Sequence, residues 1–165
     1  MGSNLGDRGR HLAEAIAELD SLLGPLRVAS IYLTEPVSPV AQPDFYNTVL
    51  GGLTSRSAEE LLALGAELER RQGRRPGPPL GPRPLDVDLL FLGDEIRHGP
   101  RLTLPHPRLA ERRFVLAPLA EIFPDLPIPG VGRTPRELLA ELPPGPRVER
   151  LGDSPTPESG PEAAC

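Results

Sequence analysis

Between Arg8 and Leu23 the apolar residues recur at three-and-four spacing, with Leu12, Ile16, Leu19 and Leu23 on one face, and Gly24-Pro25 closes the run. The pattern predicts an amphipathic helix. Val28 to Leu33 is short and rich in β-branched and aromatic residues, which predicts a strand. A proline-rich loop from Pro36 to Pro43 follows, then a second strand-like run from Phe45 to Leu53. Ser57-Ala58-Glu59-Glu60 reads as a capping box, and the helix it opens carries Leu61, Leu64 and Leu68 on one face before stopping near Gly73. Leu85 to Leu92 predicts a strong strand ended by the turn Gly93-Asp94, and Phe114 to Ile122 a helix ended by Pro124. Thr134-Pro135-Arg136-Glu137 opens a last short helix, with Thr134 as cap and Pro135 in the first turn; Pro143-Pro144 stops it.

The order helix, strand, strand, helix, strand implies an α+β sandwich whose three strands share one sheet. One domain is expected over residues 1–151, with a polar, proline-rich tail over 152–165 that stays disordered. The length of 165 residues agrees, because single domains run to about 100–200.

Composition narrows the class further. A single cysteine, Cys165, excludes an internal disulfide and a cysteine-built metal site. No apolar run reaches the length of a membrane span and no leader-like segment opens the chain, so a cytoplasmic protein with no membrane partner is expected. The net charge of −5 argues against a general nucleic-acid binder. All 18 basic residues are arginine, which leaves any cationic contact to guanidinium groups.

The stretch Gly81-Pro82-Arg83-Pro84-Leu85-Asp86-Val87-Asp88 is the richest in chemistry. On a strand, Asp86 and Asp88 project to one side while Leu85, Val87 and Leu89 face the other. Two carboxylates so placed suit magnesium, which takes one or two protein carboxylates and fills its shell with phosphate oxygens and water. Alone, such a pair more often marks the solvated face of an amphipathic strand. Arg70, Arg71, Arg74, Arg75 and Arg83, five arginines in fourteen residues, shift the balance toward a phosphate site. Arg70 and Arg71 serve the helix end and its dipole; Arg74 and Arg83 are the phosphate candidates. No Walker loop is present.

Three further pieces are less specific. Gln42-Pro43-Asp44-Phe45-Tyr46-Asn47 sets an aromatic and an amide at alternate strand positions, which suits a flat heterocycle, although Phe45 also reads as core. Leu104-Pro105-His106-Pro107 holds a histidine in a rigid loop, and Arg112-Arg113-Phe114 adds a cation and an aromatic. Alone, His106 reads as structural and Phe114 as core.

Taken in order, GSNLG, QPDFYN, ELERRQGR, GPRPLDVDLL, LTLPH and RRFVLAPLAEI make the chain, over roughly residues 2 to 142, similar to the 6-hydroxymethyl-7,8-dihydropterin pyrophosphokinases of the folate pathway. The resemblance implies a ferredoxin-like sandwich, an antiparallel sheet with helices packed on it. It implies transfer of the diphosphate of ATP to 6-hydroxymethyl-7,8-dihydropterin with release of AMP. It further implies that Asp86 and Asp88 bind two magnesium ions and that Arg74 and Arg83 are catalytic phosphate contacts. Glu69, His106 and Arg112 join them around ATP; Phe45 and Phe114 sandwich the pterin, with Asn47 and the backbone around Thr34 on its edge. The expected partners are these small molecules, and the expected state is a monomer.

The chain also departs from that pattern. The loop from Gly73 to Arg83 is one or two residues short, with Pro76 and Pro79 at positions where arginine is frequent and Leu80 in place of a tryptophan. Pro107 stands where an aromatic commonly follows the histidine. The family's hydrophobic strand before GSNL is missing, so the sheet is expected to lack its first strand and the true start to lie upstream of Met1. A non-catalytic or impaired nucleotide- or pterin-binding module is the alternative that these departures leave open.

Overall fold

In the computed structural model of the protein, which describes residues 1–77 and 80–152, sheet pairing begins at once with β1 (Gly2–Ser3). The other elements are α1 (Arg8–Leu23), β2 (Arg27–Val28), β3 (Ile31–Thr34), β4 (Phe45–Asn47), β5 (Leu50–Gly51) and α2 (Ala58–Arg71). They are followed by β6 (Arg97–His98), β7 (Thr103–Leu104), α3 (Arg113–Ile122), α4 (Pro135–Glu141) and β8 (Val148–Gly152). None of the described helices is long and apolar enough to cross a membrane.

The helices sit where their caps and apolar faces direct them. Asp7 caps α1 by accepting from Arg10 N at 3.0 Å, and Gly24, at φ 89°, closes it with an N–H donated to Asp20 O. Leu12, Ala15, Ile16 and Leu19 of α1 are buried, as the spacing predicts. Both predicted capping boxes form, Ser57 with Glu60 on α2 and Thr134 with Glu137 on α4. Each satisfies two N–H groups that the first turn leaves without partners.

The main sheet is antiparallel in the order β1-β4-β3-β8, with Gly2 opposite Asn47 and Tyr32 opposite Asn47 on the other side. Both predicted N-terminal strands are interrupted, and in each case a polar residue diverts the backbone. Ser30 N and Oγ donate to the Glu121 carboxylate, separating β2 from β3. Thr48 turns aside between β4 and β5, its N–H bonded to Met1 O and its hydroxyl to Ala29 O. Glu121 also accepts from the Tyr32 hydroxyl at 2.9 Å, so one carboxylate ties α3 to β3; burial and that carboxylate push the Tyr32 phenol up to about 12.

The segment 85–92 departs further from expectation, because it forms no strand. Asp86 alone pairs, with Gly2, through bonds of 2.9 and 2.8 Å. Beyond it, Val87 N–H donates to the Glu69 carboxylate and Leu90 O accepts from His106 N–H, so at these two positions the backbone bonds a side chain and a loop instead of a strand. The fourth sheet strand is instead β8, which pairs with β3 from Ile31 to Thr34. Gly152 therefore ends a strand; residues 153–165 of the expected tail, like Pro79 in the shortened loop, lie outside the described residues.

Two apolar clusters flank the sheet. One joins Leu12, Ile16 and Leu19 of α1 to Ile31, Leu68 and Leu85. The other joins Val49 to Val115, Leu116 and Leu119 of α3, with Ile128 and Leu138. The stretch carrying Asp86 and Asp88 runs past the sheet with Leu85 in the first cluster, Val87 packed against it and Leu90 packed against the second.

Candidate active site

Alternation survives at Asp86 and Asp88 even without a full strand. Leu85 is buried, Val87 packs against Gly65 of α2, and both carboxylates line a cleft on the other side. The opposite lining comes from the sheet and from α3: Thr34 at the end of β3, Phe45 and Asn47 on β4, and Phe114 in the first turn of α3. Asn47 is fixed by donating from Nδ2 to Thr34 Oγ1 at 2.7 Å, which turns its carbonyl oxygen toward Gly2. Thr34 thus acts through its side chain as well as its position on the strand.

Arginines surround the two carboxylates. Arg74 Nη1 bonds Asp86 Oδ1 at 2.6 Å and also pairs with Glu69. Arg83 Nη1 reaches the same Asp86 oxygen at 3.4 Å, and Arg112 Nη1 reaches Asp88 Oδ2 at 3.4 Å. Two of these guanidinium groups also face the aromatics: Arg83 lies 5.8 Å from the Phe45 ring centre and Arg112 lies 5.5 Å from that of Phe114. Arg83 Nε is buried and, among the described residues, has no hydrogen-bond partner. A buried N–H of this kind costs free energy unless something accepts from it, so the site offers a charged donor that the protein leaves unsatisfied.

Glu69 and His106 complete the surroundings. Glu69 accepts from Val87 N–H at 2.8 Å while holding Arg74, and burial nonetheless pushes its carboxyl up. It anchors both the arginine and the Asp86–Asp88 backbone. His106 N–H is bonded to Leu90 O at 2.7 Å, and His106 Nδ1 accepts from Arg108 N–H at 3.2 Å. Burial first and the nearby Arg112 second push the imidazole pKa down, so it is neutral near pH 7. His106 Nε2 lies 3.5 Å from Arg112 Nη1 and 4.0 Å from Asp88 Oδ2.

Every candidate named from the sequence thus gathers around the aspartate pair. The lining residues not expected from the sequence include Gly2, Val37, Ser38 and Thr48. The GSNLG motif contains the only signal for Gly2; the others are ordinary side chains whose role depends on tertiary placement. No group of three or more His, Cys, Asp or Glu side chains is gathered for a metal among the described residues. Two carboxylates remain a sufficient protein contribution for magnesium when a bound triphosphate supplies the other oxygens.

The sequence model of the 7,8-dihydro-6-hydroxymethylpterin-pyrophosphokinase family matches residues 1–124. The chain is 42% identical over 124 residues to the 2-amino-4-hydroxy-6-hydroxymethyldihydropteridine pyrophosphokinase of Bacillus subtilis, covering 74% of each chain. It is 37% identical over 145 residues to the protein of the same name from Pseudomonas aeruginosa, covering 87% of this chain and 89% of that one. To a mitochondrial folate synthesis bifunctional protein of Arabidopsis thaliana it is 40% identical over 124 residues, but it spans only 22% of that protein's length.

Proposed function

The chain belongs to the 7,8-dihydro-6-hydroxymethylpterin-pyrophosphokinase family, and we propose that it transfers the diphosphate of ATP to 6-hydroxymethyl-7,8-dihydropterin in the cleft beside Asp86 and Asp88. The hydroxymethyl oxygen attacks the β-phosphorus, the bond from that phosphorus to the bridging oxygen of the α-phosphate breaks, and AMP leaves. The observation that carries the reading is the meeting of two carboxylates, Arg83 and Arg112 with Phe45 and Phe114 in one cleft, with Arg74 paired to Asp86 beside it. Phosphoryl transfer needs positioning and charge neutralisation rather than a protein nucleophile, and this set of residues supplies both.

Phe45 and Phe114 stack on the pterin, and Asn47, fixed by Thr34, hydrogen-bonds its edge. Arg74 and Arg83 bind the phosphates, the unpaired Nε of Arg83 donating to one of their oxygens, and Glu69 holds Arg74 in place. Arg112 and neutral His106 contact the nucleotide from the Asp88 side. Asp86 and Asp88 are the residues that would hold magnesium, two ions in this reading; the metal supplies charge neutralisation along the triphosphate. Without ligands, Arg74, Arg83 and Arg112 neutralise the carboxylates instead. The protein acts as a cytoplasmic monomer on these small molecules. On adding the pterin to protein, magnesium and ATP, AMP is expected in step with pterin consumption. ATP binding by calorimetry with no AMP formed would favour a non-catalytic binding module.

The same reading makes the sheet and its helices a ferredoxin-like sandwich with a place for one more strand. A groove lined by Met1, Val49, Leu50, Leu64, Val87 and Leu89 among others runs between β5 and the extended segment after Asp86. Met1 lies in that groove with its ammonium bonded to Thr48 O at 2.8 Å, and burial pushes its pKa down. An alternating apolar segment of about six residues in line with β1 would cover the apolar surface of such a groove. A protein carrying such a segment ahead of Met1 is expected to melt at a higher temperature; equal melting would overturn the added strand and leave the reaction untouched.

A further inference from the structure

The loop from Glu35 to Asp44 forms one wall of the proposed pterin cleft, through Pro36, Val37, Ser38 and Gln42. Its two ends are held by a single residue from the far end of the chain. Arg147, just before β8, uses both of its backbone polar groups on Glu35: Glu35 N–H donates to Arg147 O at 3.1 Å, and Arg147 N–H donates to the Glu35 side-chain carboxylate at 3.0 Å. The Arg147 guanidinium crosses the mouth of the loop and pairs with the Asp44 carboxylate. On the other side of Asp44, Arg8 Nη1 donates to its carbonyl oxygen at 2.7 Å, while the Arg8 guanidinium stacks 3.9 Å above the Tyr46 ring.

The residues just beyond the two fixed points are functional ones. Thr34, which fixes Asn47, precedes Glu35, and Phe45, the proposed stacking ring, follows Asp44. Residue 147 lies outside residues 1–124, the part matched by the family model. Neither its charge nor its place beside a short exposed strand marks it as part of a site; its position across the feet of the loop does.

We propose that Arg147 is a positioning residue for the pterin cleft: by joining Glu35 to Asp44 it sets the width of the loop and the placement of Phe45. The inference rests on the pterin reading of the cleft. Arg147 does not touch the phosphate-binding arginines, so its influence falls on the heterocycle and not on ATP. Arg147→Ala removes the arm to Asp44 and a longer 3.9 Å ion pair with Glu149 and leaves the bonds to Glu35, which involve the Arg147 backbone.

Calorimetric titration with 6-hydroxymethylpterin, and separately with ATP, tests this. Arg147→Ala is expected to raise the pterin Kd about threefold to fivefold, the range open to a partly exposed ion pair, with the ATP Kd and melting temperature unchanged. Asp44→Asn should give the same loss, the double variant no more than either alone, and Arg147→Lys a partial recovery. Pterin affinity unchanged in Arg147→Ala, equal weakening of ATP, or additive losses in the double variant would each overturn the proposal. Unaltered protein that binds no pterin at all would instead overturn the cleft reading on which it rests.

Discussion

Asp86→Ala is expected to lower AMP formation about a thousandfold, equivalent to roughly 4 kcal/mol of transition-state stabilisation, while the protein stays folded. Folding is spared because the sheet uses only the backbone of Asp86, through its two bonds with Gly2, and Leu85 beside it supplies the buried apolar contact. Activity falls for two reasons. The carboxylate is one of the pair that would hold magnesium, and it is the group on which Arg74 and Arg83 converge. Removing it leaves Arg83 without its carboxylate partner and Arg74 with Glu69 alone. ATP binding in the absence of magnesium is therefore expected to stay the same or tighten in the variant, whereas the magnesium dependence of turnover disappears. A steady-state AMP assay over a magnesium titration, with calorimetry in chelator, separates these effects. Turnover equal to that of the unaltered protein at saturating magnesium refutes the role given to Asp86.

Much of this site is legible in the sequence because alternation along an extended segment depends on local geometry alone. Asp86 and Asp88 share a side, opposite Leu85 and Val87, although 85–92 pairs with the sheet only at Asp86. The capped helices are legible for the same reason: Ser57 with Glu60 and Thr134 with Glu137 are contacts within one turn. What the sequence hides are partnerships between distant residues. Val148–Gly152 has no alternating apolar pattern and becomes a strand because β3 offers it an edge. Leu85 to Leu92 has the composition of a strand and lacks a neighbour to pair with beyond Gly2. Ser30 and Thr48, which divide the predicted strands, take their partners from Glu121, Met1 and Ala29. Arg74 was recognisable as a phosphate candidate, but its pairing with Glu69 and Asp86 depends on how α2 packs beside the 85–92 segment.

Gly2→Ala should be nearly as damaging as loss of a catalytic group, although glycine offers no functional atom of its own. Gly2 lies in β1 opposite Asn47, and a Cβ added there would overlap Asn47 Oδ1 and stand 3.5 Å from Phe45 Cδ1. The strand cannot easily move away, because Gly2 is held on its other side by both backbone bonds to Asp86. The Asn47 side chain must rotate instead, breaking its 2.7 Å bond to Thr34 Oγ1. Thr34 and Asn47 are both buried, and leaving such polar groups without partners costs about 1–3 kcal/mol. The amide proposed to read the pterin edge is misplaced at the same time, and a site built to hydrogen-bond its ligand discriminates strongly when that bond fails. A rise in pterin Kd of about thirtyfold to a hundredfold is expected, with ATP affinity close to that of the unaltered protein. The Asn47→Ala background isolates the cause: there the overlapping oxygen is gone, so adding Gly2→Ala should cost little more. A variant that binds the pterin normally, or one whose loss simply adds to that of Asn47→Ala, would show that Gly2 does not act by making room for the Asn47 carbonyl.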